Sequence, residues 1–291
     1  MNIHHRSFNI LGNIAVVNFS DKIKRKEKKK FAEQLLKEHL NIKTVLEKSG
    51  KFSGRLRKMK TKYLAGEKNK EVLYKENNCV FRFNLDTTYF SPRLSNERKE
   101  IASLINPKGI SQRDDFIKPS SEVKNDKVLV MFAGVGPYSI CIAKNSGAKV
   151  YSNEINREAN KYAELNIKLN NVQDKVELIS GDIKKVVLRL SHPPTQRKDK
   201  EKNQIPNKFD VIVMPRPRLK ESFLKEAFAL SKKGTKIFYY DFCKVEDKNK
   251  IIEKIKNEAK KAKKKIKILR IKHAGEIAPY KIRLRVDFKI I

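Results

Sequence analysis

The sequence contains no tryptophan, only three cysteines and no long hydrophobic run. Cys79, Cys141 and Cys243 are far apart and odd in number, which argues against a disulfide framework and predicts reduced thiols in a cytoplasm. No apolar stretch approaches the roughly eighteen residues that a membrane span needs, and no secretory signal opens the chain. The five histidines show no ligand spacing with the cysteines, so no metal site is expected.

Acidic residues are scarce relative to basic ones. The chain has 67 lysines and arginines against 33 aspartates and glutamates, a formal net charge of +34. A hyperthermophile surface is also rich in lysine, but it matches the lysine with glutamate. An uncompensated excess concentrates polyanions around a protein. Anionic membranes are the alternative partner, but no stretch combines this charge with a strong apolar face. Nucleic acid is therefore the better prediction.

One short segment is typical of a nucleoside-binding turn. The apolar string VLVMFAGVGPY, ending at Tyr138, predicts a strand, a turn with Gly134 and Gly136, and a helix. Glu154 ends the next apolar strand, about twenty residues on, where a carboxylate can bind the hydroxyls of a ribose. A glycine pair alone also fits an ordinary strand-to-helix turn. Glu154 favours the cofactor site.

The same turn favours S-adenosylmethionine over a dinucleotide. The third glycine of the dinucleotide fingerprint is replaced by Ser139. Pro137 follows the second glycine and removes a backbone N–H that a pyrophosphate would use at the helix start. S-adenosylmethionine has no phosphate, so it suits this variant better.

The element pattern divides the 291 residues into three parts. Residues 1–88 predict a small α+β domain with hairpins around Gly12-Asn13 and Asn77-Asn78. Residues 89–122 predict a helical connector. Residues 123–291 alternate strand and helix and end in two strands, which predicts an α/β domain with a doubly wound, mainly parallel sheet and a closing antiparallel pair.

Two loops of the α/β domain carry candidate ligand contacts. Asp182 follows the third strand of the sheet, where a carboxylate can accept from an adenine amino group or simply cap the next helix. The fourth strand ends in Met-Pro-Arg-Pro-Arg, residues 214–218. Its two prolines make the loop rigid and its two arginines make it cationic, which suits an anionic nucleotide. A simple turn into the next helix is the alternative.

The connector places two charged residues on one helix face. Arg93 and Glu97 are four residues apart, which on spacing alone indicates an ion pair.

Several strings, in order, resemble the archaeal and eukaryotic tRNA (guanine-37-N1)-methyltransferase family. They are FNILGNIAVVNF, NIKTVLEKSG, LAGE, YFSPRLSNER, MFAGVGPYSI, NEINREANKYAELNIKLN, GD and AGEIAPYKIRLRVDF. The resemblance covers nearly the whole chain. It implies a cytoplasmic, archaeal enzyme with a class I, Rossmann-like methyltransferase domain behind a tRNA-binding domain. It also implies S-adenosylmethionine as the cofactor, the tRNA anticodon stem-loop as the partner, and a monomer.

The resemblance also assigns roles to single residues. N1 of guanine must lose a proton as the methyl arrives, and charge develops on O6, so the site needs a base and a cation. By the family pattern Glu97 is similar to the base and Arg57 to the cation, while Tyr89 and Arg93 would shape the pocket of a flipped base. The implied cofactor contacts are Phe132, Gly134, Gly136, Pro137, Glu154 and Asp182. The implied substrate contacts are Arg55, Arg98, Pro215, Arg216, Pro217 and Arg218.

Three departures from the family pattern bear on function. The chain starts at the tRNA-binding domain, without the extra small domain that family members usually carry before it. Val130 stands where an acid usually precedes the glycine turn, and Pro215 stands at the position of a base-contacting asparagine. The change at Pro215 resembles the archaeal branch that also methylates C7 of the tricyclic wyosine intermediate. It predicts a bifunctional enzyme.

Two alternatives remain open at this stage. One is the related transferase that moves the aminocarboxypropyl arm of S-adenosylmethionine in wyosine synthesis. The other is a non-catalytic RNA-binding protein on the same fold, which the departures at Val130 and Pro215 would fit.

Overall fold

A computed structural model describes residues 8–50, 54, 56, 58–105, 126–191 and 205–291. The N-terminal part forms a four-stranded sheet in the order β1-β2-β3-β4 with one helix. Its elements are β1 Phe8–Leu11, β2 Ile14–Val17, α1 Arg25–Glu38, β3 Thr44–Lys48 and β4 Thr61–Gly66. β2 and β3 are parallel, so α1 is the crossover that connects them. Ala32 and Leu35 of α1 pack on Val45 in a small core of their own.

A separate hairpin follows, formed by β5 Glu71–Glu76 and β6 Cys79–Asn84. Asn77 and Asn78 have φ of 49° and 60°, the left-handed conformations that a tight two-residue hairpin turn requires. The edge of β6 that does not pair with β5 is hydrogen-bonded by side chains of the α/β domain. The amide group of Asn166 bonds the backbone of Arg82, and that of Asn170 bonds the backbone of Val80. The hairpin is thereby attached to the α/β domain.

The α/β domain is built on a seven-stranded sheet in the order β12-β13-β11-β10-β7-β8-β9. The strands are β7 Lys127–Met131, β8 Lys149–Glu154, β9 Val176–Ser180, β10 Phe209–Met214, β11 Ser231–Lys244, β12 Ile266–Ala278 and β13 Lys281–Ile290. β7 to β11 run parallel to one another, whereas β13 is antiparallel to β11 and to β12. The predicted doubly wound sheet and its closing antiparallel pair are confirmed.

Helices cover both faces of this sheet. The helices are α2 Ser95–Ile105, α3 Pro137–Ser146, α4 Arg157–Leu169, α5 Ile183–Ser191, α6 Leu224–Ala229 and α7 Lys248–Lys261. α2, α3 and α4 contribute to a core that continues into the N-terminal sheet, while α5, α6 and α7 pack on the opposite face. α2 follows a single 3-10 turn at Pro92–Leu94 and packs on α3, which fixes the connector against the sheet.

The structure differs from the sequence expectation in two elements. The sequence pattern predicts a helix over residues 219–231, but α6 spans only Leu224–Ala229, because β11 already begins at Ser231. The strand β4 contains the first three residues of the LAGE string, and the sequence analysis does not predict it, because only a short part of β4 alternates apolar and polar residues. Within the described residues, no helix is long and apolar enough to cross a membrane. The proposed division at residues 88 and 122 stays a prediction.

Candidate active site

The turn between β7 and α3 is held in an unusual backbone conformation. Phe132, Gly134 and Gly136 have positive φ of 58°, 59° and 86°. A Cβ on Gly136 would lie 3.1 Å from Cδ1 of Ile140, so a side chain there would crowd the helix. Pro137 occupies the first turn of α3, where a missing N–H costs little.

Glu154 at the end of β8 supports this turn from the neighbouring strand. The backbone N–H of Gly134 donates to its Oε2 and the backbone N–H of Asn156 donates to its Oε1, both at 2.8 Å. Two charge-assisted bonds fix the carboxylate at the carboxyl edge of the sheet. The ribose-binding geometry predicted for Glu154 therefore has a rigid support.

A cavity of about 700 Å³ opens at this edge. Glu154, Asp182, Phe132 and Gly134 line it together, as expected for cofactor contacts. Its other lining residues are Leu56, Tyr89, Asn153, Ile155, Asn156, Ala159, Gly181, Ile183, Pro215, Pro217 and Leu219.

The lining fits a nucleoside. It combines a fixed carboxylate, apolar side chains for a flat ring and a glycine without Cβ at the turn. Asp182 also caps α5, because its Oδ1 accepts from the N–H of Lys184 at 3.0 Å, so both expected roles are compatible. Gly136 and Pro137 shape the turn and are not among the lining residues that the structure describes.

A smaller cavity of about 270 Å³ adjoins the first. Tyr89 and Pro215 line both cavities, so they form the boundary between them. The remaining lining residues of the small cavity are Leu94, Arg216, Tyr240 and Arg283. Tyr240 and Arg283 were not singled out in the sequence. They lie on β11 and β13, and the antiparallel pairing of these strands brings them to this edge.

Glu97 lies behind the small cavity, with a relative exposure of 4%. Its Oε2 accepts from the hydroxyl of Tyr240 and from Nη1 of Arg285, each at 2.8 Å. Its Oε1 lies 2.7 Å from Nζ of Lys272. Arg93, which was expected to pair with Glu97 on spacing, is exposed. The structure gives Glu97 partners on β11, β12 and β13 instead.

Arg285 connects Glu97 to two further acids. Its guanidinium contacts both carboxylate oxygens of Asp287 and one oxygen of Glu100. Burial alone would lower the pKa of Arg285, but Asp287 and Glu100 raise it, so the side chain is charged. Lys272 also pairs with Glu100. Burial raises the pKa of Glu100, but Lys272 and Arg285 outweigh this and its pKa lies below its usual range.

Two of the expected substrate contacts have other partners. Arg216 is 3% exposed, and its guanidinium bonds Asp241 and the backbone carbonyls of Leu219 and Glu221. Arg98 is 1% exposed and forms an ion pair with Glu76 in the β5–β6 hairpin. Both charges have partners inside the protein, although Arg216 also lines the small cavity, and a direct contact of either arginine with the substrate stays a prediction. Arg216 holds the loop after β10 in place, and Arg98 attaches α2 to the hairpin.

Other expected contacts keep accessible positions. Arg218 is exposed, and its chain neighbours Pro217 and Leu219 line the larger cavity. Arg55 and Arg57 lie outside the described residues. Among the residues that are described, no group of histidine, cysteine or acidic side chains could hold a metal ion.

Comparison with known proteins places the chain in a family. Residues 72–269 match the model of the TRM5/TYW2 methyltransferase domain, and residues 2–69 match that of the TYW2 N-terminal domain. A protein of Nanoarchaeum equitans named tRNA (guanine(37)-N(1))/4-demethylwyosine(37)-methyltransferase Taw22 is 30% identical, covering 98% of this chain and 100% of that protein. Trm5b of Pyrococcus abyssi is 29% identical, over 98% of this chain and 74% of its own length.

Solved structures agree with this placement. The crystal structure of Trm5b from Pyrococcus abyssi superposes with a TM-score of 0.76 at 30% identity, covering 98% of this chain and 74% of that one. Trm5 of Methanocaldococcus jannaschii in complex with adenosine gives 0.73 at 27% identity, with coverage of 98% and 74%. A complex of aTrm5 with tRNALeu gives 0.74 at 27% identity, with coverage of 98% and 72%. The family and the fold class predicted from the sequence are confirmed. Matched along most of its length by the family model, the chain belongs to the TRM5/TYW2 methyltransferase family.

Proposed function

We propose that the protein transfers the methyl group of S-adenosylmethionine to N1 of guanosine 37 in tRNA. One observation carries the proposal: two cavities of unequal size meet at Tyr89 and Pro215. Methyl transfer requires that donor and acceptor sites share a boundary where the sulfonium carbon can face the acceptor nitrogen. The larger cavity suits the donor and the smaller one suits a single base.

The donor site is assigned from its polar groups. Glu154 binds the ribose hydroxyls and Asp182 accepts from the adenine amino group, while Phe132, Gly134, Gly136 and Pro137 set the turn against which the nucleoside lies. The adenosine complex of the Methanocaldococcus relative supports a nucleoside in this fold. The cofactor supplies an electrophilic methyl group, and the protein orients it toward the small cavity.

The acceptor site combines a buried acid with nearby cations. Glu97 is the general base for N1, and Tyr89 and Arg93 shape the pocket around the flipped guanine. Arg57 stabilises the charge that develops on O6, with Arg55 beside it on the same stretch of chain. Such electrostatic stabilisation is usually the largest single contribution in a site of this type.

The RNA partner follows from the net charge of +34 and from the exposed arginine next to the larger cavity. Arg218 is exposed between Pro217 and Leu219, which line the larger cavity, and suits a phosphate of the anticodon loop. The complex of aTrm5 with tRNALeu supports tRNA as the partner. We expect one monomer to bind one anticodon stem-loop.

A second methylation at the same nucleotide is also proposed. The Nanoarchaeum relative, matched over its full length, is named for both guanine-37 N1 and 4-demethylwyosine-37 methylation. In this chain Pro215 occupies the boundary between the cavities, where the family pattern has an asparagine. A proline imposes no hydrogen bond on the base, so the site accepts the tricyclic intermediate as well as guanine.

One observation favours a second candidate. Residues 2–69 match the TYW2 N-terminal domain model, and the related transferase of wyosine synthesis transfers the aminocarboxypropyl arm. The two reactions differ in which sulfonium carbon faces the acceptor. The mass of the modified nucleoside therefore separates them directly.

The test uses the full chain with S-adenosylmethionine labelled in the methyl group. The substrates are an unmodified tRNA with guanosine at position 37, the same tRNA with adenosine there, and a tRNA that carries the tricyclic intermediate. We expect N1-methylguanosine from the first, nothing from the second and a methylated tricycle from the third. A product with the mass of an aminocarboxypropyl adduct would establish the second candidate. Binding of tRNA without any product would indicate a non-catalytic protein.

A further inference from the structure

We propose that the hydroxyl of Tyr240 relays the N1 proton of the target base to Glu97. The inference rests on the proposed function and concerns the same acceptor site. It makes Tyr240, a residue that the sequence did not single out, a catalytic residue that contacts the base.

The relay follows first from where the two residues lie. Tyr240 lines the small cavity, whereas Glu97 is not among the lining residues that the structure describes. Glu97 is 4% exposed and lies on α2, behind Tyr240 of β11. A base in the small cavity therefore meets Tyr240 before it meets Glu97.

The contacts of Glu97 give the second argument. Its Oε2 is bound by the hydroxyl of Tyr240 and by Nη1 of Arg285, and its Oε1 by Nζ of Lys272. Arg285 is fully buried and is itself held by Asp287, so the carboxylate cannot swing into the cavity without breaking buried ion pairs. The proton must therefore come to Glu97 through Tyr240.

The surroundings of Tyr240 make it a proton carrier rather than a phenolate base. The groups that face it are Glu97 of α2, Tyr138 of α3 and Arg285 of β13. Burial, Tyr138 and Glu97 raise the pKa of Tyr240 well above its usual value, against the opposing charge of Arg285. The hydroxyl is protonated at neutral pH and can pass on a proton only as it receives one.

The step balances as a concerted transfer. The N1–H bond of guanine breaks and its proton goes to Oη of Tyr240, while the phenolic proton of Tyr240 goes to Oε2 of Glu97. The N1 electron pair forms the bond to the methyl carbon as the carbon–sulfur bond breaks, and that electron pair stays on sulfur. Tyr240 ends in its starting protonation state, and Glu97 holds the proton until it leaves to solvent.

The test compares Tyr240→Phe with a matched control. Tyr162 also donates its hydroxyl to a glutamate that an arginine binds, in this case Glu71 with Arg82, and it lines neither cavity. Single-turnover methylation of guanosine 37 is measured for both variants across pH. Affinities for S-adenosylmethionine and tRNA are measured separately. General acid–base groups contribute about 10²–10⁴-fold to rate.

We expect Tyr240→Phe to lose about 100-fold in rate at neutral pH, with both affinities within about twofold of the unsubstituted protein. The deficit should shrink as pH rises, because N1 of guanine then ionises by itself and needs no relay. Tyr162→Phe should keep the rate. A deficit that is the same at every pH would mean a structural role for Tyr240 and would overturn the relay, as would an unchanged rate.

The experiment also distinguishes a failure of the proposed relay from a failure of the proposed function. If the unsubstituted protein forms no N1-methylguanosine, the proposed function fails, whereas an active protein with an active Tyr240→Phe variant contradicts the relay alone. If Tyr240→Phe does not fold, a fluorinated tyrosine at position 240 keeps the shape and makes the hydroxyl more acidic. The relay predicts a changed pH profile for that variant, and an identical profile contradicts it.

Discussion

Glu97 and Arg285 form a buried ion pair, with Oε2 of the acid 2.8 Å from Nη1 of the arginine, between residues 188 positions apart in the chain. The pair joins α2 to β13, so the connector that carries the proposed base is fixed by the last strand of the sheet. Glu100 and Asp287 complete the contacts of the guanidinium. The helix α2 and the closing antiparallel strands are thus joined by one buried network of ion pairs.

Arg285→Met should lower the free energy of unfolding by about 3–5 kcal/mol, because it leaves buried carboxylates without their principal cation. Urea unfolding at pH 7 measures the change. Arg270→Met is the matched control, since Arg270 pairs with Glu100 at 52% side-chain exposure and such surface pairs contribute about 0–1 kcal/mol. A similar loss of unfolding free energy in the two variants would contradict the conclusion that the buried ion pairs of Arg285 stabilise the fold.

Asp241 predicts an acid-sensitive contribution to stability. Burial acts to raise the pKa of Asp241, but Arg216 and Lys254 outweigh it and the pKa lies below its usual value of 3.8. A carboxyl whose pKa is lowered on folding contributes stability above its unfolded pKa, and that stability is lost as pH falls through the folded pKa. The stability difference between the unsubstituted protein and Asp241→Asn should therefore narrow below about pH 4.

The measurement for Asp241 is urea unfolding at several pH values from about 2 to 6. Asp174→Asn serves as the control for replacing an aspartate, because Asp174 is exposed. A stability difference for Asp241→Asn that is the same at every pH would show that its ion pairs with Arg216 and Lys254 are not linked to folding.

Glu154→Ala should weaken S-adenosylmethionine binding by about 10–100-fold, because it removes charge-assisted hydrogen bonds to the ribose worth about 1.5–3 kcal/mol each. It also removes the acceptor of the Gly134 N–H. Calorimetric titration measures the affinity. Glu158→Ala removes an acid four residues on, whose ion pair with Lys161 is on the surface, and should bind normally. Unchanged affinity in Glu154→Ala would contradict the assignment of Glu154 as the residue that binds the ribose.

Arg218→Ala should weaken tRNA binding and reduce the slope of log K against log salt by about 1, the loss of one phosphate contact. The unfolding temperature should not change, because Arg218 is exposed. Lys233→Ala removes an exposed cation at the opposite, amino-terminal edge of the sheet and should keep the slope. Equal slopes for all three proteins would place the RNA away from the cavity rim.

The sequence allowed the prediction of features that are set by nearby residues, but not of contacts between residues far apart in the chain. Gly134, Gly136 and Glu154 are fixed by one strand–turn–helix–strand unit, so their spacing alone predicted the cavity edge. The partners of Glu97 lie on the last strands, and antiparallel pairing rather than any spacing brings them together. Arg216 and Arg218 are two residues apart and chemically identical. Arg216 is nevertheless buried, with Asp241 of β11 and two backbone carbonyls as partners, whereas Arg218 is exposed.

Pro215→Asn should shift the balance between the two proposed methylations toward N1-methylguanosine. Pro215 lines both cavities, so the amide of an asparagine there can hydrogen-bond the edge of guanine. When the tricyclic base is bound, the same amide loses its water and gains no hydrogen-bond partner, which weakens binding of that substrate. Both products are measured by mass after single turnover on the two tRNA substrates. Pro217→Asn places the same side chain in the same loop, but on the larger cavity alone, and should leave the ratio unchanged. An unchanged ratio in Pro215→Asn would contradict the assignment of this position to substrate choice.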